Sequence, residues 1–183
     1  STNKYEMRKA FKEAGVATPK FETVASTNDI DKLSNMEYPL IVKPTDRSGS
    51  RAITKIYKKE ELEKAISKAI ENSFEKKAIV EEYIEGNEFS AEGITYNGEH
   101  KFLTITRKAT TGAPHFIETG HIESAGLSKD MEEKVYKELT KALTALEITN
   151  SATHSEFKIT PNGDVKIIEI GARMGGDCIG SDL

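Results

Sequence analysis

Glu156 and Glu169 flank the dipeptide Asn162-Gly163, and that spacing is the first place where this sequence suggests chemistry. The runs Ala152 to Thr160 and Asp164 to Ile170 alternate on either side, and Asn-Gly between alternating runs signals a two-residue hairpin turn. Such a turn sets Glu156 directly opposite Glu169, with Cβ atoms about 4.5–5.5 Å apart. Phe157 then faces Ile168 on the other side of the ribbon, where Ile159 and Ile170 join them against a core. Two like charges face to face cost up to about 1 kcal/mol unless a cation lies between them. Carboxylate oxygens at that separation suit a hard divalent ion, Mg²⁺ above all where phosphates complete its octahedron. The other reading is a solvated sheet face on which Lys158 relieves the repulsion from a diagonal position. Pro161, lacking an N–H, loosens the turn, and a one-residue bulge would break the pairing.

Lys43 poses a second question, since it sits inside the apolar run Leu40 to Pro44 and must find an anion or snorkel to water. The loop that follows, Thr45 to Arg51, offers Ser48, Gly49 and Ser50, whose backbone N–H groups could cradle phosphate. Neither Gly-x-x-x-x-Gly-Lys-Ser/Thr nor Gly-x-Gly-x-x-Gly occurs, so a tight turn beside an edge-strand lysine is the competing reading. Further on, Ala78 to Glu88 reads as a strand that runs into a turn at Gly86-Asn87. Free backbone groups at such a strand end could imitate base pairing to an adenine edge, and Glu88 could accept both ribose hydroxyls. In the hairpin about Asn97-Gly98, however, Glu88 falls opposite Arg107 and could form a cross-strand ion pair instead. His115, His121 and His154 are assigned no role.

The elements that would carry these residues are legible from periodicity. A helix opens the chain, capped by Asn3, ended by Gly15, with Met7, Ala10, Phe11 and Ala14 as its apolar stripe. Short strands are expected at Phe21 to Val24, Leu40 to Pro44, Ala52 to Tyr57 and Ala78 to Tyr83, with a brief helix at Asp29 to Met36. Lys59 to Ile70 and Lys129 to Leu146 read as amphipathic helices, the second capped by Ser128. Glu88 to Tyr96 and Glu99 to Lys108 form a hairpin, with Phe116 to Ser124 as a third strand of its sheet. Helices and strands in mixed order, with hairpins, make the fold class α+β with two lobes.

Composition sets the outer bounds. The 183 residues carry a net charge of -4, so nothing draws the chain generically to nucleic acid or to an anionic membrane. No apolar run is long enough to span a bilayer, and the first residues contain no apolar signal core. With one cysteine, Cys178, no internal disulfide forms, and a reducing, cytoplasmic compartment is the expectation.

Taken in order, these segments resemble the ATP-grasp superfamily, closest to its carboxylate–amine ligase and carbamoyl-phosphate-synthase-like branches. The resemblance rests on the Lys4 helix, Ile41-Val42-Lys43-Pro44, Glu81-Glu82-Tyr83-Ile84 with Gly86 and Glu88, His154-Ser155-Glu156-Phe157, and Glu169-Ile170-Gly171-Ala172-Arg173-Met174-Gly175-Gly176. It implies a two-lobed fold, with an N-terminal lobe over 1–86 that includes the phosphate loop 45–51. The C-terminal lobe would cover 87–183, with its metal-binding hairpin at 152–170. By the same resemblance Lys4 and Lys43 contact ATP phosphates under the loop at Ser48, Gly49 and Ser50. Glu81, Glu82 and Ile84 meet the adenine, largely through backbone, and Glu88 meets the ribose. Glu156 and Glu169 carry Mg²⁺, one ion or two, while Lys43 and Arg173 are the catalytic candidates, Arg173 stabilising the transferred phosphoryl group. Where such relatives often have a metal-binding Asn, Gly171 stands here, so the second ion would be held less completely. The implied activity is ATP-dependent ligation of a small carboxylate to an amine, amino acids among them, through an acyl phosphate. A nucleotide-binding or scaffold module without turnover is the alternative, and a simple cation-binding β-rich module is a third. The resemblance further implies a fragment, lacking the N-terminal domain that usually precedes this region.

Overall fold

The computed structural model describes residues 3–49, 51–110, 118–122 and 124–176. Ser50, His115 and Cys178 therefore lie outside the described residues. Helix α1 (Lys4–Glu13) starts where the Asn3 side chain accepts the N–H groups of Tyr5 and Glu6, and it is followed by Gly15 at φ +67°. Its buried face is Lys4, Met7, Arg8 and Phe11, so Ala14, expected in the stripe, is exposed. Two cations at helical spacing among apolar neighbours thus replace a purely apolar stripe.

Strands β1 (Phe21–Val24), β2 (Leu40–Pro44), β3 (Thr54–Ile56) and β4 (Ala78–Glu82) form an antiparallel sheet ordered β1-β4-β2-β3. Between β1 and β2 a 3-10 helix covers Thr27–Leu33, held by a capping box of Ser26 and Asp29, in place of the helix expected over Asp29 to Met36. Helix α2 (Leu62–Asn72) packs Leu62, Ala65, Ile66 and Ala69 with Leu40, Val42, Ala78 and Val80. Strand alternation then turns Lys43 and Glu81 to the opposite face of the sheet.

The second sheet is ordered β7-β6-β5-β8-β9, from β5 (Asn87–Tyr96), β6 (Glu99–Thr110), β7 (Glu118–Ile122), β8 (Ser151–Ile159) and β9 (Val165–Gly171). Helix α3 (Lys129–Ala145), capped by Ser128, covers one face with Val135, Leu139, Ala142 and Leu143. The core there includes Phe89, Ala91, Phe157 and Ile167, with the rings of Phe89 and Phe157 stacked 5.6 Å apart, and Met7 and Phe11 of α1 join it. Among the described residues no helix is long and apolar enough to cross a membrane.

Registers decide what reaches the other face. Asn97 and Gly98 have φ +51° and +80° between paired Tyr96 and Glu99, the two-residue turn expected there. A bulge between Glu92 and Gly93 then slips the ladder by one, so Arg107 faces Phe89. The Glu88–Arg107 cross-strand pair is therefore not formed: Glu88 lies opposite Lys158 instead, 3.8 Å from its Nζ.

The 152–170 hairpin corrects two expectations at once. Thr160 N–H donates to Asp164 O and Gly163 N–H to Thr160 O, with Gly163 at φ +77°. Pro161-Asn162-Gly163 is thus a three-residue loop, not a two-residue turn, and it pairs Phe157 with Ile167 rather than Ile168. A bulge between Glu156 and Phe157 shifts the register back, and Glu156 meets Glu169 after all. Ile168 is the extra residue; it leaves the core face, where Ile167 is fully buried, and lines the cleft between the sheets.

Candidate functional site

The two sheets enclose a cavity of about 810 Å³. Its walls hold Lys4, Lys43, Ser48, Gly49, Glu81, Glu82, Ile84, Glu88, Glu156, Glu169 and Arg173, all the described site residues expected from sequence. Residues more than a hundred positions apart converge here because alternation in β2, β4, β5, β8 and β9 presents one polar face from each sheet.

On the wall formed by the first sheet, Lys43 Nζ lies 2.6 Å from Glu81 Oε2, while Arg8 Nε donates to Glu81 Oε1 at 2.6 Å. Arg8, fully buried, also donates through Nη2 to Ile168 O at 2.7 Å, capturing a carbonyl at the β9 bulge. Burial alone would push the Glu81 carboxyl up, but the Arg8 and Lys43 charges outweigh it and bring it down to about 2. The carboxylate of Glu81 is thus engaged inside the wall, and its contribution to a base would come from backbone. Glu82 Oε1 accepts the Glu37 N–H at 3.1 Å and lies 3.3 Å from Lys20 Nζ. Ile84 O accepts from Lys158 Nζ at 3.2 Å, so Lys158 braces the strand end and not the glutamate pair.

The loop after β2 is moored on both sides. Thr45 N–H donates to Lys77 O, Glu75 N–H to Asp46 Oδ2, and Lys4 Nζ to Arg47 O at 2.6 Å. Gly49, at φ +69°, supplies the left-handed turn that carries the exposed tip.

On the second wall Glu156 and Glu169 keep 26% and 29% of their side-chain exposure. Lys108 Nζ is 2.7 Å from Glu156 Oε1, and Lys4 Nζ is 3.3 Å from Glu169 Oε1. His154 Nε2 lies 3.5 Å from Glu156 Oε1, and its Nδ1 is bonded to the buried Glu92. Burial raises the Glu156 carboxyl, but the His154 hydrogen bond and the Lys108 charge bring it down to about 2. Burial lowers His154, yet its hydrogen bonds to Glu156 and Glu92 raise it to about 9. Arg173 is exposed beside the cavity, with Nη1 donating to Met174 O at 2.6 Å. Gly171, at the end of β9, brings no side chain to the pair.

Among the described residues no group of three or more His, Cys, Asp or Glu side chains could enclose a metal ion. Two facing carboxylates fit Mg²⁺ as a partial donor set, with remaining positions left to phosphate and water. Sequence reasoning missed Arg8, Lys108, Glu92 and the brace at Lys158. Alternation alone placed Glu92 with Glu88, and Lys158 with Glu156, on the polar faces of β5 and β8. Nothing local marked their partners.

Comparison with known proteins supplies a frame for this cavity. The family description "ATP-grasp domain" matches residues 36–182. The alanine–anticapsin ligase of Bacillus subtilis is 32% identical over 197 aligned residues, covering 95% of this chain and 41% of that protein. D-alanine–D-alanine ligase B of Clostridium perfringens is 27% identical, covering 92% and 56%. The crystal structure of an L-amino acid ligase from Bacillus licheniformis superposes with a TM-score of 0.85 at 29% identity, over 98% of this chain and 42% of that one. The chain thus spans about half the length of these relatives, or less.

Proposed function

The chain belongs to the ATP-grasp family, and from that premise we propose that it is the MgATP-binding part of a ligase joining an amino acid carboxylate to an amine. The observation that carries this reading is the register of β8 on β9: Glu156 and Glu169 stand opposite each other in a cavity that also holds Lys4 and Lys43. Magnesium bound there would offset charge on the ATP phosphates. Lys43, pinned by Glu81, and Lys4, pinned by Arg47 O, hold fixed positive charge where the phosphates would lie, beside the loop at Ser48 and Gly49. The strand end Glu81, Glu82 and Ile84 offers backbone to the adenine, and Glu88 its carboxylate to the ribose. The substrate carboxylate attacks the γ-phosphorus and ADP leaves; the amine then attacks the acyl carbon and phosphate leaves. No protein nucleophile is needed, because positioning and charge neutralisation, with Arg173 over the transferred group, carry phosphoryl transfer. The relatives' names support amino acids on both sides of the new bond. Gly171 favours a second reading, a module that holds nucleotide without turnover.

Calorimetric titration of MgATP into the chain tests the site. Lys43→Met and Glu156→Gln each weaken binding about tenfold or more, and unaltered affinity in both removes the assignment. ADP release by the longer protein on addition of amino acids separates the ligase from the silent module.

A further inference from the structure

Glu92 is a carboxylate buried to 3% exposure on the polar face of β5, directly opposite His154 on β8. Burying it costs several kcal/mol unless both oxygens are satisfied, and here each has a separate partner. A carboxylate only accepts, so His154 Nδ1 carries the proton donated to Oε1, which aims Nε2 at Glu156. Oε2 accepts the N–H of Gly175 at 3.1 Å, two residues beyond Arg173. A Cβ on Gly175 would come within 2.8 Å of Glu92 Oε1 and 3.0 Å of His154 Nδ1, so only glycine lets the chain pass this close. The neighbouring Gly93 is equally constrained: a Cβ there would meet Lys101 O and Thr153 Oγ1 at 2.9 Å, beside the bulge that seats Glu92.

We infer that Glu92 is a positioning residue: its two oxygens fix the His154 ring against Glu156 and dock the Arg173–Gly176 segment onto the same cavity wall. The inference rests on the reading of Glu156 as a metal ligand. It couples the β8 side of the carboxylate pair, through His154, to the segment that carries Arg173 out of β9. The chemistry of the tether is specific. Glu92→Leu removes both acceptors, whereas Glu92→Gln can keep both contacts, its amide oxygen accepting from Gly175 and its NH2 donating to His154 Nδ1 in the other ring tautomer. Glu92→Asp keeps both acceptors one methylene shorter.

Two readouts on the full chain test this. Amide hydrogen exchange without nucleotide follows the docked segment, and Mn²⁺ affinity in the presence of ADP, by electron paramagnetic resonance, follows Glu156. Glu92→Leu and Gly175→Ala, which breaks the tether from its other end, raise exchange at 173–176 about tenfold and weaken Mn²⁺ about tenfold. Glu92→Asp restores part of both. Unchanged protection at 173–176 in the two variants, or unchanged Mn²⁺ affinity alongside lost protection, overturns the inference. A wild-type chain and Glu156→Gln that bind Mn²⁺ and ADP equally would instead overturn the metal reading, whatever the exchange shows.

Discussion

Arg8, Glu81 and Lys43 on one wall of the cleft are each at most 5% exposed, whereas Glu156 and Glu169 on the facing wall keep about a quarter of their side chains open. In the first group every charge is spent on another, and two cations against one carboxylate leave a fixed surplus of positive charge beneath the cavity. In the second, two lysines lean on two carboxylates from different elements, Lys108 from β6 and Lys4 from α1. The first cluster is architecture that happens to be cationic, suited to attract phosphate. The second is a set of contacts that an incoming divalent ion could replace one by one. A buried ion pair is costly to break and a part-exposed one is cheap, so the walls should answer mutation to different degrees.

The largest expected effect is on the closed wall. Arg8→Met leaves Glu81 with one partner and takes the Arg8 donor from the Ile168 carbonyl, while Ile167 O keeps the Thr18 hydroxyl. Urea denaturation of the nucleotide-free chain should show a loss of about 3–5 kcal/mol. Lys108→Met on the open wall should cost about 1–2 kcal/mol, since Glu156 retains solvent. Equal losses would break the distinction between the walls.

Acidity sharpens the same contrast. Glu81 and Glu156 are both held at about 2 when folded, below the ordinary 4.5, so their stabilisation is present above pH 4.5 and is lost as the pH falls toward 2. His154 has the opposite sign. Raised to about 9, it stabilises fully below pH 6.5, and that contribution is lost as the pH climbs through 9. Both walls therefore contribute to the acid limb, but only the open wall contributes to the alkaline one. Thermal melts of His154→Gln should flatten the alkaline limb, an effect on the order of 2–3 kcal/mol, and trim the acid limb only by the share of Glu156's depression that His154 supplies, leaving that of Glu81. An alkaline limb that survives His154→Gln would place it elsewhere.

What the sequence disclosed of these walls depended on distance along the chain. Leu40 to Pro44 and Phe21 to Val24 were legible to the residue because each is a short β-rich run bounded by turn formers. Ala52 to Tyr57 shrank to Thr54–Ile56, since strand length is set by the neighbour and β2 offers β3 three paired positions. The facing of Glu156 and Glu169 was also legible, though by two departures that offset each other. The loop has one residue more than Asn-Gly alone suggests, and the bulge at Ile168 absorbs it. The bulge cannot be seen locally, because what stabilises it is Arg8 reaching the Ile168 carbonyl from a helix 160 residues away. The same holds for Lys108 and Glu92. Alternation assigns them a face, but their partners come from another strand or from beyond β9.

The smallest effect tests whether the closed wall also has a soft edge. Arg47 lines the cavity in the loop after β2, and its guanidinium sits 4.4 Å from the centroid of Phe74, a ring that is 77% exposed. So exposed a ring adds little to the core; its contact is with the arginine, and a cation–π contact at the surface is worth about 0.5–1 kcal/mol. Phe74→Ala should therefore leave the urea midpoint almost unmoved while freeing Arg47 from its seat. If Arg47 meets phosphate from that seat, the freed side chain must be ordered again on binding, and MgATP affinity falls about two- to fivefold, the same free energy expressed as a ratio. The comparison variant is Arg47→Lys, which keeps the charge but loses the planar group that stacks, and it should reproduce the fall. An affinity indifferent to both changes would confine nucleotide recognition on this wall to Lys43 and the backbone of the loop, leaving the Arg47–Phe74 stack as a clasp for the loop alone.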